Sequence, residues 1–180
     1  MKEETIRKHI LQIIARHSSK VVDLAQDILK NPETGFREFR TANLVHEFFD
    51  YLGLPHQDGL AITGTRADLA GKQKGPRIAI MGELDSLIVP GHPYADLNNN
   101  FAHACGHHTQ IGSMLAVAGA LSDPDIREYL HGDVCFLAVP AEEYIELEYR
   151  QSLVRKGELE FMGGKAELVR LGVFDDIDMA

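Results

Sequence analysis

Basic residues are scarce in this chain: 18 Lys and Arg stand against 27 Asp and Glu, a net charge of −9 over 180 residues. That balance argues against nucleic acid or anionic membrane as the main partner, since both are bound through basic patches. The local group Lys72, Lys74 and Arg77 reads as a solvated loop. Cysteine is also rare. Cys105 and Cys135 can form at most one bridge, so there is no disulfide framework. No apolar run approaches the ~20 residues that span a bilayer. The charged start, Met1-Lys2-Glu3-Glu4, lacks the apolar core of a secretory signal. Cytoplasm is the expected compartment.

What remains is an ordinary globular composition, 44% hydrophobic and 25% charged, long enough for one domain with a substantial core. Ile6, Ile10, Ile13 and Ile14, then Val21, Leu24, Ala25, Ile28 and Leu29, recur at helical spacing and predict one or two helices over the first thirty residues. Asn31-Pro32 stops them. A second helix is expected from about residue 41, with Leu44, Val45, Phe48, Phe49 and Leu52 on one face and Gly53 as its C-terminal cap. Short β-prone runs follow at 60–69 and 77–81, separated by a hairpin or short loop at 71–76. Residues 86–104, rich in Pro, Gly and Asn, read as a long loop, a length uncommon in compact domains unless functional. A small, apolar helix is expected over 109–121 and a buried strand over 133–139. Beyond Glu142 the chain is charged, with weak helical periodicity and another short helix at 165–171. Residues 174–180 look like the start of a further strand. Alternating strands and helices imply an α/β domain with a largely buried sheet.

The chemistry concentrates in His103-Ala104-Cys105-Gly106-His107-His108 and in Glu142-Glu143. Thiolate, imidazole and carboxylate together suit a borderline metal, and a second carboxylate beside them can activate water. Cys105 and His107 sit at a loop-to-helix junction, where Gly106 permits a sharp turn. Glu142-Glu143 follow an apolar strand and Pro140, and α/β enzymes place their sites at the carboxyl ends of strands. One carboxylate can bind a cation while its neighbour moves a proton. Asp85, after the strand at 77–81, can orient a ligating histidine. Cys135 alternates into the strand interior and reads as core, and His92 reads as a loop histidine.

Four segments occur in order: Asn31-Pro32-Glu33-Thr34-Gly35-Phe36-Arg37-Glu38, Glu83-Leu84-Asp85-Ser86-Leu87, His103-Ala104-Cys105-Gly106-His107 and Pro140-Ala141-Glu142-Glu143. With them the chain resembles the metallo-amidohydrolases of the aminoacylase and carboxypeptidase family, peptidase family M twenty, and within it the branch acting on N-acyl amino acids. The resemblance implies a three-layer α/β/α, zinc-exopeptidase-like catalytic domain with a mixed sheet. It implies that Cys105 is a metal-bridging thiolate, His107 and Glu143 are metal ligands, and Glu142 is the general base and acid. Asp85 matches the family's histidine-orienting aspartate. The implied reaction is amide hydrolysis by metal-activated water, with two divalent ions, zinc or manganese, and a small N-acyl amino acid or peptide-like substrate. Three departures stand out: His108 where aspartate or asparagine is usual, Glu83 where many branches have aspartate or histidine, and Tyr144-Ile145-Glu146 where glycine often follows the acid pair.

Family members run about twice this length and carry a lid or dimerisation domain and two further histidine ligands. Residues 1–180 are therefore expected to be the N-terminal part of a catalytic domain, inactive alone, from a protein that forms homo-oligomers at full length. The alternative is a non-catalytic metal-binding or interaction fragment from a truncated or split gene. A Cys105 nucleophile with His107 as base is the weaker third reading, because the two are too close in sequence for the usual pairing from separate elements.

Overall fold

The computed structural model describes residues 3–180. The two apolar stretches at the start lie on one uninterrupted helix, α1 (Glu3–Lys30). It stops where Asn31 turns its side-chain amide back to donate to the Asp27 carbonyl, 2.8 Å away, ahead of Pro32. Helix α2 (Phe39–Leu52) begins two residues before the expected start. Its free N–H groups are satisfied from upstream: the Glu33 carboxylate accepts from the backbone of Arg40 and Thr41 at 3.1 and 2.8 Å. Gly53 closes it in the left-handed region, φ 67°.

Strands β1 (His56–Leu60) and β2 (Gly64–Leu69) form an antiparallel hairpin. Strand β3 (Gln73–Glu83) then begins inside the stretch expected to be a hairpin or short loop. That stretch is no hairpin, because β2 and β3 are not neighbours. The sheet order is β1-β2-β6-β3, and β6 (His131–Val139) lies between them, antiparallel to β2 and parallel to β3. The long loop after β3 carries two short strands, β4 (Leu87–Ile88) and β5 (Phe101–Ala102), paired antiparallel. Helix α3 (His107–Ser122) leads to the short α4 (Pro124–Arg127) and then to β6. After β6 come α5 (Leu147–Arg155) and α6 (Gly164–Arg170). The expected final strand is present as a single parallel bridge between Met179 and Ile78, with Ala79 N–H donating to the Met179 carbonyl at 2.7 Å.

Alternation along β6 splits the core. Val134, Phe136 and Ala138 face one cluster, where Ile28, Val45, Phe49, Met114 and Leu115 from α1, α2 and α3 pack. Cys135, Leu137 and Val139 face the other, with Leu153 and Leu168 from α5 and α6. The chain is thus a three-layer α/β/α domain with a mixed, buried sheet. The glycines at two crossings set the spacing: at Gly82 a Cβ would press on Ile111, and at Gly112 on Ala25. Among the described residues, no helix is long and apolar enough to cross a membrane.

Candidate metal centre

The parallel pairing of β3 with β6 brings Glu83 opposite Val139, so both strands end at the same level. Asp85 leaves one and the turn of residues 140–143 leaves the other. The N-terminus of α3 arrives between them with His107 as its first residue. Gly106 makes this possible, at φ 87°, in the left-handed region that favours glycine.

His107 is buried, and its two ring nitrogens have distinct surroundings. Nδ1 lies 2.8 Å from the backbone carbonyl of Asp85. A carbonyl only accepts, so Nδ1 carries the proton, and Nε2 is the atom turned into the site. Around Nε2 stand three carboxylates: Glu83 at 2.9 Å, and Glu142 and Glu143 each at 3.8 Å. Burial works against a charged imidazole here, but the bonds with Asp85 and the charges of Asp85 and Glu83 outweigh it and push His107 up to about 9. Lys165, from the first turn of α6, reaches Glu83 and lies 3.7 Å from Glu142. Cys105 is on the exposed side, hydrogen-bonded to Glu143. That bond, with desolvation and the nearby carboxylates, pushes its thiol up to about 11. Such surroundings oppose a free thiolate nucleophile, which needs a positive neighbourhood.

The carboxylate turn is held by buried polar and charged side chains. Ala141 takes a positive φ of 50°, and its N–H donates to Glu38 Oε1 at 2.7 Å. The N–H groups of Glu142 and Glu143 donate to the two oxygens of Asp85, at 3.1 and 2.9 Å. Arg150, fully buried on α5, donates to the carbonyls of Ala141, Met162 and Glu143. Gly35 leaves room for it, since a Cβ there would overlap the guanidinium. Glu38 accepts a second bond from the Thr63 hydroxyl at 2.7 Å, and burial raises its pKa to about 8. The segment from Asn31 to Glu38 therefore packs beneath the turn and braces it.

The four residues singled out from the sequence come together: His107, Glu142 and Glu143 directly, Cys105 through Glu143. Asp85 meets His107 Nδ1 through its backbone carbonyl, where a carboxylate contact was expected, with its carboxylate oxygen 3.5 Å away. Glu83, His107 and Glu142 form a set of three donors with ligand atoms within 4.8 Å of one another. Glu83 was marked from the sequence only as a departure from the family pattern, and its position two residues before Asp85 at the end of a strand is the signal that points to it. Glu38, Arg150 and Lys165 went unassigned. His103 is buried with neither ring nitrogen bonded, its pKa lowered to about 4 by burial and by His108 and His107. His103 and His108 are not part of the three-donor set. His92 accepts from the Tyr94 N–H within its own loop, and Cys135 is buried core.

The donor set fits a cation. Three carboxylates converge on one imidazole nitrogen whose partner nitrogen is already fixed, a thiol bonds one of them, and the Lys165 ammonium, partly exposed, offers compensation.

No family model matches the sequence. Among curated proteins, the chain is 27% identical over 176 residues to an N-acyl-L-amino acid amidohydrolase of Geobacillus stearothermophilus, covering 96% of this chain and 43% of that protein. It is 30% identical over 133 residues to an N-acetylcysteine deacetylase of Bacillus subtilis, covering 69% of this chain and 33% of that one. The chain thus spans less than half the length of these relatives. Among solved structures, the Bacillus subtilis protein YXEP, a dinuclear metal-binding peptidase, superposes with a TM-score of 0.70 at 24% identity, covering 88% of this chain and 40% of that one. Motifs, fold and relatives agree: the chain is similar to metal-dependent amidohydrolases and shares its fold with a dinuclear metal-binding peptidase of family M20.

Proposed function

We propose that residues 1–180 are the N-terminal part of the catalytic domain of a metal-dependent amidohydrolase that cleaves N-acyl amino acids or related small conjugates. Cys105, His107 and Glu143 hold divalent cations, zinc or manganese, and Glu83 is a further ligand. Glu142 is the general base and acid. The orientation of His107 is the observation that carries this reading: Asp85 holds Nδ1, so Nε2 faces Glu83, Glu142 and Glu143.

Divalent ions bound there supply Lewis-acid polarisation of the amide carbonyl and acidify water. The chain's own groups do the rest. Asp85 orients His107 through its carbonyl and aims both glutamates through their peptide N–H groups. Glu142, half-exposed at the rim, takes a proton from water at its carboxylate and delivers it to the departing nitrogen. The two curated relatives act on acylated amino acids by name, which supports the substrate class. We place the activity in a homo-oligomeric protein of the relatives' length.

The test is hydrolysis of N-acetyl amino acids by the protein extended in frame to that length. Glu142→Gln is expected to lower kcat by at least ~100-fold while metal content stays. His107→Ala is expected to lose metal, and the 180-residue chain alone to be weak or inactive. An extended wild-type protein that holds no metal, or a Glu142→Gln variant of unchanged rate, overturns the reading.

A further inference from the structure

A second group of donors lies where α1 crosses the corner between α3 and α4. His9 Nε2 is 3.6 Å from Asp123 Oδ1 and 3.9 Å from Asp125 Oδ2, and the three atoms lie within 4.8 Å of one another. His9 Nε2 is buried at the atom and has no hydrogen-bond partner. Both separations are too long for an N–H···O bond. They suit a shared cation instead: ligand bonds of ~2.1 Å at a tetrahedral angle put neighbouring donors ~3.4 Å apart. Asp123 also caps α4, accepting from the Asp125 N–H at 3.0 Å, which fixes the carboxylate at its post. Its other oxygen faces Arg16 at 3.6 Å and Oδ1 keeps a free lone pair. A cavity of about 500 Å³ adjoins the group, lined by Thr5, Lys8, Gln12, Glu128 and Tyr129, with room for waters that complete a coordination shell.

We propose that His9, Asp123 and Asp125 form a second divalent transition-metal site, separate from the metal centre at the strand ends. An imidazole with two carboxylates selects zinc and its neighbours over magnesium or calcium, which prefer oxygen alone. The site shares no residue with the first. His107 and Ser122 are opposite ends of α3, a helix of 16 residues, or ~24 Å at 1.5 Å per residue. Its role is structural. The apolar packing that joins this end of α1 to the corner is built on Ile13, Ala120 and Ile126, with Ile6, Ile10, Ile14 and Leu121 against them. A metal here ties residues 9 and 123 together across a long stretch of chain, where a cross-link removes much unfolded-state freedom.

The test is zinc titration of the 180-residue chain by calorimetry, beside histidine ¹⁵N spectra, for the wild type, His9→Ala and Asp125→Asn. The wild type is expected to bind one zinc equivalent that His9→Ala abolishes, with the His9 Nε2 resonance shifting as zinc is added. Asp125→Asn is expected to weaken that equivalent at least tenfold. Thermal unfolding should rise with zinc in the His107→Ala protein and not in the His9→Ala, His107→Ala double variant. Asp125 is exposed and His9 half-buried, and circular dichroism verifies that the variants fold. An unmoved His9 resonance, or zinc binding identical in wild type and His9→Ala, overturns the proposal.

Discussion

Replacing Glu38 by Gln should make the protein's stability less sensitive to pH, and by a predictable amount. Glu38 is fully buried beneath the carboxylate turn, and burial lifts its pKa from 4.5 to about 8. The folded state therefore holds a proton that the unfolded chain releases. The stability that goes with this proton is fully present below pH 4.5, and it is lost as pH rises toward about 8. At ~1.4 kcal/mol per unit, the full loss is at most ~5 kcal/mol. That is a large share of the ~5–15 kcal/mol that holds a domain together. Gln can keep both contacts, its carbonyl accepting from Ala141 N–H and its amide donating to the Thr63 hydroxyl, without ever ionising. The assay is urea denaturation followed by far-ultraviolet circular dichroism, since the chain has no tryptophan to report by fluorescence. Wild type and Glu38→Gln are measured side by side at pH 5, 7 and 9, so that every other titrating group cancels in the difference. Glu38→Gln should be close to wild type at pH 5 and more stable by a few kcal/mol at pH 9. A difference that stays constant across this range refutes the argument, because it means that Glu38 ionises in the folded protein as it does in water.

Two further substitutions probe the same turn. Arg150→Met should cost ~3 kcal/mol, because the carbonyls of Ala141, Met162 and Glu143 lose their buried donor, and Arg150→Lys should not restore it since one ammonium cannot span the three positions. Urea midpoints of the three proteins check this. Gly164→Ala puts a Cβ onto the Pro140 carbonyl at the start of α6, so a loss of ~2 kcal/mol is expected from forced displacement. Its second readout is weaker metal binding or altered metal stoichiometry, because α6 also carries Lys165 to Glu83 and Glu142.

What could be read in the sequence was local. The stripe of α1, the alternation of β6 and the turn at Gly106 each express a short-range preference, and the structure keeps all three. The cluster of candidate metal ligands was visible because its residue types are rare and closely spaced. Arg150 and Glu38 were not, because a charged residue in a polar stretch reads as solvated. Only the pairing of distant segments makes each of them buried. The insertion of β6 between β2 and β3 has no local signal either, since strand order is decided by which faces and edges find partners across the chain. Of the hairpin or short loop expected at residues 71–76, the hairpin is absent for that reason.

The place of β6 also bears on the order in which the molecule can be assembled. As the chain emerges from the amino end, β2 and β3 are complete long before residues 131–139 exist, and each then has an unpaired edge facing the other. The central strand must enter between two strands already made, one antiparallel to it and one parallel, and close loops of more than fifty residues in doing so. Pairing across such separations is slow relative to helix formation. Pro140 to Glu143 hang directly from that strand, so the turn, its buried braces and the carboxylates take their positions only after the last strand is seated. Folding intermediates that lack β6 therefore have neither the centre of the sheet nor the metal centre, and their two open edges are the surfaces most exposed to aggregation.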